Sequence, residues 1–170
     1  MKSGYGVELT NPLRYCAERM PRIFRSMRRD GDRPLVAAAA DGLGARVPPA
    51  LGLVDIYPTS AGQVSPVTGP QGEGMSVAPD WRVLPPHRIP DRLRSLRKDA
   101  RGSKSLFCWF MGRGPFVADH VAEGLRLHPD ADNITHGVVE PARTMHVDEY
   151  QQALAATRPA WDIIEEDPER

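Results

Sequence analysis

The chain has 170 residues, 22 Lys+Arg and 22 Asp+Glu, for a formal net charge of zero. That length fits one domain. With 15 glycines and 17 prolines, the composition excludes a simple helix bundle or coiled coil, whose interiors tolerate neither residue.

Asn11-Pro12 marks a helix start, and a short helix over 13–19 must yield at Pro21. Ile23-Phe24-Arg25-Ser26-Met27 alternates apolar side chains around a basic one, a short strand signal. Residues 28–32 read as a turn, and 35–40 as a strand or buried segment. From 41 to 79 the chain is dense in glycine and proline, with 51–57 reading as a strand ended by Pro58. Residues 68–74 form a loop leading into a short strand at Met75-Ser76-Val77. Residues 90–100 read as a surface helix, with Pro90 in its first turn, Leu93 and Leu96 as a thin apolar face and Gly102 as its stop. The clearest strand is 105–111, aromatic and apolar; 117–119 and 125–128 are weaker ones. Another strand covers 134–140 and closes at Pro141. His146 stands at a cap position with Glu149 three residues on, and Met145 and Tyr150 are placed for a hydrophobic staple. Val147, Tyr150, Ala153 and Leu154 supply that helix's apolar face. Short strands with two or three peripheral helices make an α+β layout. The expectation is a single domain over 1–170, its core at about 20–160 and its ends, 1–10 and 162–170, flexible. No apolar run approaches the ~20 residues that span a bilayer, and no signal-peptide core follows the first six residues. The expected location is therefore cytoplasmic.

Zero net charge hides an asymmetry. Residues 1–33 carry eight Lys/Arg against four acids, 82–104 carry eight against two, and 117–170 carry twelve acids against four arginines. A basic face suits nucleic acid, a phosphate-bearing cofactor or an acidic protein partner; alternatively the two ends neutralise each other. No helix-turn-helix, ribonucleoprotein or zinc-finger pattern accompanies the basic stretches. Cys16 and Cys108 read as two reduced thiols. His87, His120, His128, His136 and His146 show no metal-ligand spacing. Gly69, Gly72 and Gly74 resemble a phosphate cradle in composition only. No Gly-x-Ser-x-Gly elbow supports a hydrolase triad. In a strand of period two, His136, Val138 and Glu140 share a face, which places an imidazole and a carboxylate in one cleft; an exposed edge strand is the other reading.

The stretch Thr135-His136-Gly137-Val138-Val139-Glu140-Pro141-Ala142-Arg143-Thr144-Met145, followed by Tyr150-Gln151-Gln152-Ala153-Leu154, resembles the C-terminal signature of small ADP-ribosyltransferase-like growth-arrest toxins. These are type VI secretion effectors with bacterial and fungal relatives. Ile23-Phe24-Arg25 resembles the family's early strand with its arginine, and Gly72 to Val77 its Gly-rich approach to a strand bearing serine. Glu123 to Leu127 resembles the segment before the final histidine strand. The resemblance implies a mono-ADP-ribosyltransferase-like fold, two small antiparallel sheets around an NAD cleft with peripheral helices. It implies NAD as co-substrate, an unknown ADP-ribose acceptor, growth inhibition of a target cell and neutralisation by a cognate immunity protein. By the same resemblance Arg25 would bind an NAD phosphate or ribose, Ser76 would support the nicotinamide strand and His136 would lie in the cleft. The Glu-x-Glu or Gln-x-Glu motif of better-known transferases is absent, and Met75 stands where a small residue is expected.

The chemistry is consistent with those residues. An arginine meets a pyrophosphate through charge-assisted, bidentate bonds. Cleaving the nicotinamide–ribose bond builds oxocarbenium-like positive charge, which a carboxylate stabilises; Glu140 is the candidate. His136 would hold a ribose hydroxyl or carry a proton. Tyr57 or Trp109 would stack on a ring of the cofactor, although the strand around Trp109 reads as core. Two rivals stand beside this reading. One is a non-catalytic domain whose basic face, 82–104, binds nucleic acid or an acidic protein. The other is a degenerate transferase fold that acts by binding alone.

Overall fold

Strand β1 (Ile23–Asp30) runs through the residues expected to turn, and the chain reverses only at Gly31 and Asp32. It pairs antiparallel with β5 (Leu106–Met111), from Ile23 opposite Met111 to Arg28 opposite Leu106. The computed structural model describes residues 18–170. The short strands β2 (Arg33–Pro34) and β10 (Asp162–Ile163) complete this sheet in the order β10-β5-β1-β2. Both faces of β1 and β5 are covered. Ile23, Met27, Phe107 and Trp109 enter one apolar cluster, while Phe24 and Cys108 enter a second with Trp81, Ile89 and Leu93. Burial on both sides explains why the β5 sequence is continuously apolar instead of alternating. Trp109 is a core residue, 1% exposed, with its indole N–H donating to Met27 O at 3.1 Å.

A second antiparallel sheet has the order β4-β8-β7-β6, from β4 (Met75–Val77), β6 (His120–Ala122), β7 (Leu125–Pro129) and β8 (Gly137–Pro141). A two-stranded ribbon joins β3 (Gln63–Val64) to β9 (Met145–His146). The layout is thus mixed α+β with antiparallel sheets. The two larger sheets touch where Phe24 and Ala78 exchange N–H···O bonds, both 2.9 Å. That junction sets Arg25 and Ser76 side by side.

Helix α1 (Val147–Ala156) starts as expected. The His146 ring Nδ1 accepts from the Asp148 N–H at 3.2 Å, and Tyr150 and Leu154 are fully buried. The Tyr150 hydroxyl accepts from Met75 N–H at 3.0 Å and donates to Val139 O at 2.7 Å, tying β4 to β8. Burial raises the phenol well above its ordinary range, so it remains a donor. Gly74 passes beneath this hydroxyl at φ +155; a Cβ there would lie 2.2 Å from Val139 O. Tyr150→Phe strands two backbone groups inside the core. It is expected to cost about 1–3 kcal/mol, measured by denaturant unfolding; a loss below about 0.5 kcal/mol would show that these groups find other partners.

Several expectations change. Residues 90–100 form a 3₁₀ turn (Asp91–Leu93) followed by further turns, not a helix. The bonds Gly102 N–H to Ile89 O (2.7 Å) and Asp91 N–H to Gly102 O (3.1 Å) bring the segment's ends together. A helix of that length would hold them about 16 Å apart. Residues 51–58 are a loop, not a strand: Arg46 and Asp55 close it with bidentate bonds of 3.0 and 2.8 Å, and Leu51 and Leu53 stay exposed. Residues 35–40 are neither a strand nor buried, 117–119 form a bend, and the strand expected over 134–140 is β8, which begins at Gly137, after His136, and runs through Pro141. The C-terminal segment 162–170, expected to be free, is anchored. It supplies β10, and Asp167 is buried.

Charge asymmetry is partly cancelled inside the fold, since Arg33 pairs with Asp162, Arg82 with Glu166 and Arg92 with Asp167. Cys108 is a free thiol, fully buried, and burial pushes it up to about 12, which makes it a poor nucleophile. Cys16 and most of the helix expected over 13–19 lie outside the described residues. No helix among the described residues is long and apolar enough to cross a membrane.

Candidate active site

At the junction of the two sheets opens a cleft of about 330 Å³. Its wall includes Arg25 from β1, Ser76 from β4, His136 just before β8, Arg46 from a loop and Arg88 from the end of a 3₁₀ turn (Pro86–Arg88). Leu53, Val83, Leu84 and Pro85 form an apolar side. Among the described residues, no carboxylate lines it.

Arg25 is 5% exposed and is caged by main-chain oxygens. Its Nε donates to Gly42 O (3.1 Å), Nη1 to Ser76 O (2.7 Å), and Nη2 to Ala39 O and Ala40 O (both 3.2 Å). Arg88 donates to Ser26 O at 3.3 Å and also to Ala40 O. The two guanidinium groups therefore share a carbonyl. The carboxylates that act on them are engaged elsewhere: Asp41 holds Arg28 at 2.8 Å, and Asp55 holds Arg46 at 2.8 Å. Burial, then the charge of Arg88, lowers Arg25 to about 10. Burial lowers Arg88 as well, whereas the Asp55 hydrogen bond raises Arg46. Two buried cations, the first depressed by the charge of the second and neither in a direct ion pair among the described residues, make a site whose electrostatic cost a bound anion would relieve.

On the same wall, His136 Nε2 lies 3.3 Å from Ser76 Oγ, and its Nδ1 lies 3.4 Å from Asp130 Oδ2. Asp130 and His136 are brought together by the β7–β8 connection, where Asp130 N–H donates to His136 O at 3.0 Å. A smaller hollow of about 140 Å³, lined by Gln71, Gly72, His128, Asp130, His136, Gly137 and Val138, borders the other side of the histidine.

The structure thus brings Arg25, Ser76 and His136 into one cleft and leaves Glu140 and Tyr57 off its wall. Glu140 is 0% exposed. It pairs with Arg126 Nε at 2.9 Å and with His128 Nδ1 at 3.3 Å, and it accepts from Val67 N–H at 3.2 Å. His128 Nε2 in turn lies 2.9 Å from Gly69 O. This carboxylate fastens the Gly-rich loop to the second sheet and does not share a cleft with His136. The loop is packed on that sheet and is not a cradle for phosphate: a Cβ on Gly72 would lie 2.8 Å from Val138 Cγ2. Tyr57 is 61% exposed, outside the cleft.

Arg88, Arg46 and Asp130 escaped the residue-level reading. Arg88 was hidden in the charge count of 82–104. Asp130 had a signal: Pro129, Asp130, Asp132 and Asn133 are turn residues between two expected strands. Folding that hairpin places Asp130 beside His136. Comparison of the chain with protein-family models and with curated proteins gives no match.

Proposed function

We propose that the chain is an NAD-dependent ADP-ribosyltransferase-like toxin domain with a mono-ADP-ribosyltransferase-like fold. It acts in the cytoplasm of a target cell and is neutralised by a cognate immunity protein. The carrying observation is the convergence of Arg25, Ser76 and His136 at the junction of two antiparallel sheets, in a cleft with arginines and, among the described residues, no carboxylate. A dianionic pyrophosphate is the type of group such a cleft takes up. The apolar side made by Leu53, Val83, Leu84 and Pro85 suits the flat face of a nucleobase or nicotinamide. Arg25, with four bonds to carbonyls, shapes the wall, and Arg88, the less buried of the two, offers the freer contact to phosphate.

Calorimetry with NAD tests this. The full chain should bind NAD, and Arg88→Ala should weaken binding about tenfold, the worth of one charge-assisted contact. Induced expression in bacteria should arrest growth and consume NAD, and His136→Ala should remove both effects. Absence of NAD binding together with harmless expression would overturn the reading. Toxicity that survives His136→Ala would favour action by binding alone. The basic-face alternative has less to draw on, because Arg82, Arg92, Arg94 and Arg97 are engaged within the fold. Nucleic-acid binding that weakens steeply with salt would restore it.

A further inference from the structure

Ser76 and His136 on the cleft wall stand in line with Asp130, which lies behind the histidine in the smaller hollow. Asp130 Oδ2 faces His136 Nδ1 at 3.4 Å, and His136 Nε2 faces Ser76 Oγ at 3.3 Å. A carboxylate only accepts, so the tautomer that Asp130 favours at this distance has its hydrogen on Nδ1. In that tautomer the Nε2 lone pair accepts from the Ser76 hydroxyl, and both residues line the cleft. This is the arrangement by which a carboxylate orients an imidazole as a proton acceptor.

Nothing else on the wall is so arranged. Arginines do not accept protons at neutral pH. His87 lines the cleft but is exposed, and no carboxylate among the described residues is paired with it. Glu140, the carboxylate expected to act here, is sealed beneath the Gly-rich loop. Any proton released in this cleft therefore falls to His136.

The charge of the wall restricts what can arrive. Arg25 and Arg88 repel a lysine or arginine side chain, so a cationic acceptor is disfavoured. An anionic acceptor would need no base. A neutral hydroxyl is attracted by neither extreme and must lose a proton as its oxygen bonds to carbon.

Resting on the transferase reading, we infer that Asp130, His136 and Ser76 form a proton relay through which ADP-ribose passes to a neutral hydroxyl, water or an alcohol. In that step the bond between ribose C1′ and the nicotinamide nitrogen breaks, and its electron pair leaves with nicotinamide. The hydroxyl oxygen bonds to C1′. Its proton goes to Ser76 Oγ as the Ser76 proton passes to His136 Nε2, and Asp130 stabilises the imidazolium. Asp130 is a positioning residue, acting through His136. The smaller hollow, bordered by Asp130, His136 and His128, gives the relay a second side from which the proton can depart.

Three measurements on the full chain test this. Nitrogen-15 NMR of labelled histidine should find hydrogen on Nδ1 and a bare Nε2 at His136, and Asp130→Ala should abolish that preference. With NAD saturating, His136→Ala should slow nicotinamide release about a hundredfold and Asp130→Ala about tenfold, with NAD affinity by calorimetry changed less than about threefold. Asp130 also accepts from Asp132 N–H at 2.9 Å, so Asp130→Asn, which keeps that turn bond, should reproduce part of the loss. Mass spectrometry should find free ADP-ribose if water is the acceptor, or ADP-ribose on an alcohol oxygen if it is not. Hydrogen on Nε2 in the wild type, unchanged rates in both Asp130 variants, or ADP-ribose on arginine, lysine or cysteine would each overturn the relay while leaving the transferase reading in place. Failure to bind NAD would remove that reading, and this inference with it.

Discussion

Replacing Arg25 by alanine is expected to lower stability by about 3–5 kcal/mol, the range for uncoupling a buried charged group from its partners. For a chain of this length that is a fall in melting temperature of roughly 10 °C. The reason is the caging. Four carbonyls, from Ala39, Ala40, Gly42 and Ser76, converge on one guanidinium that is 5% exposed. Alanine leaves a cavity and removes every donor. Burying a cation is itself costly, so the sign has to be argued. Arg25→Met separates the two contributions, because it fills much of the volume, removes the charge and restores no donor. If the guanidinium bonds dominate, Met should recover only about 1–2 kcal/mol, the packing share. If Arg25→Met were as stable as the wild type, the desolvation cost would cancel the bonds and Arg25 would be present for function alone. In either case NAD binding should fail in both variants, because Ser76 O and the 39–42 loop lose the group that holds them to the cleft.

What was legible in the chain follows burial geometry. The aromatic run of β5 and the Ile23–Met27 part of β1 were visible because both faces of that sheet are apolar. The start of α1 was visible because a cap and an apolar face are local features. Residues 51–57 and 90–100 misled for the opposite reason. Their apolar residues match a strand and a helix, yet Leu51, Leu53 and Leu96 are exposed, at 99%, 76% and 51%. Those loops are closed by arginines on carbonyls and carboxylates, such as Arg46 on Asp55 and Arg94 on Ala100 O. Such bonds have no sequence period. The site shows the same division. Arg25, Ser76 and His136 line one cleft, whereas His136 and Glu140 part because the strand starts one residue too late to carry both side chains. Periodicity places a residue on a face, but it does not say which loop then covers that face. For Glu140 the covering loop carries Val67 and Gly69.

Asp167 tests the same lesson at the other end of the chain. It lies among Glu165, Glu166 and Glu169, a composition that reads as a frayed acidic tail. Yet its side chain is 0% exposed and takes both forks of Arg92, at 2.8 and 2.7 Å. Arg92 also donates to Lys104 O (3.1 Å) and Leu106 O (2.7 Å), and its guanidinium lies 4.3 Å from the centre of the Phe107 ring. One guanidinium thus joins the tail, the basic loop and β5. Asp167→Ala would leave that cation, 11% exposed, without its bidentate partner. Glu169, 3.8 Å from Nε and largely exposed, is a weak substitute. The expected loss is about 3 kcal/mol, the lower end for breaking a buried pair, because Arg92 keeps two carbonyls and a ring face. Asp167→Asn should lose less, since the amide retains one acceptor oxygen. A double-mutant cycle with Arg92→Met should return a coupling well above the few tenths typical of a surface pair. If Asp167→Ala instead lay within about 0.5 kcal/mol of the wild type, with the tail as susceptible to protease as an unanchored end, burial of this carboxylate would be incidental. The acidic tail would then be only a neighbour of the basic loop, and the balance of charge between the two would contribute nothing to holding the fold.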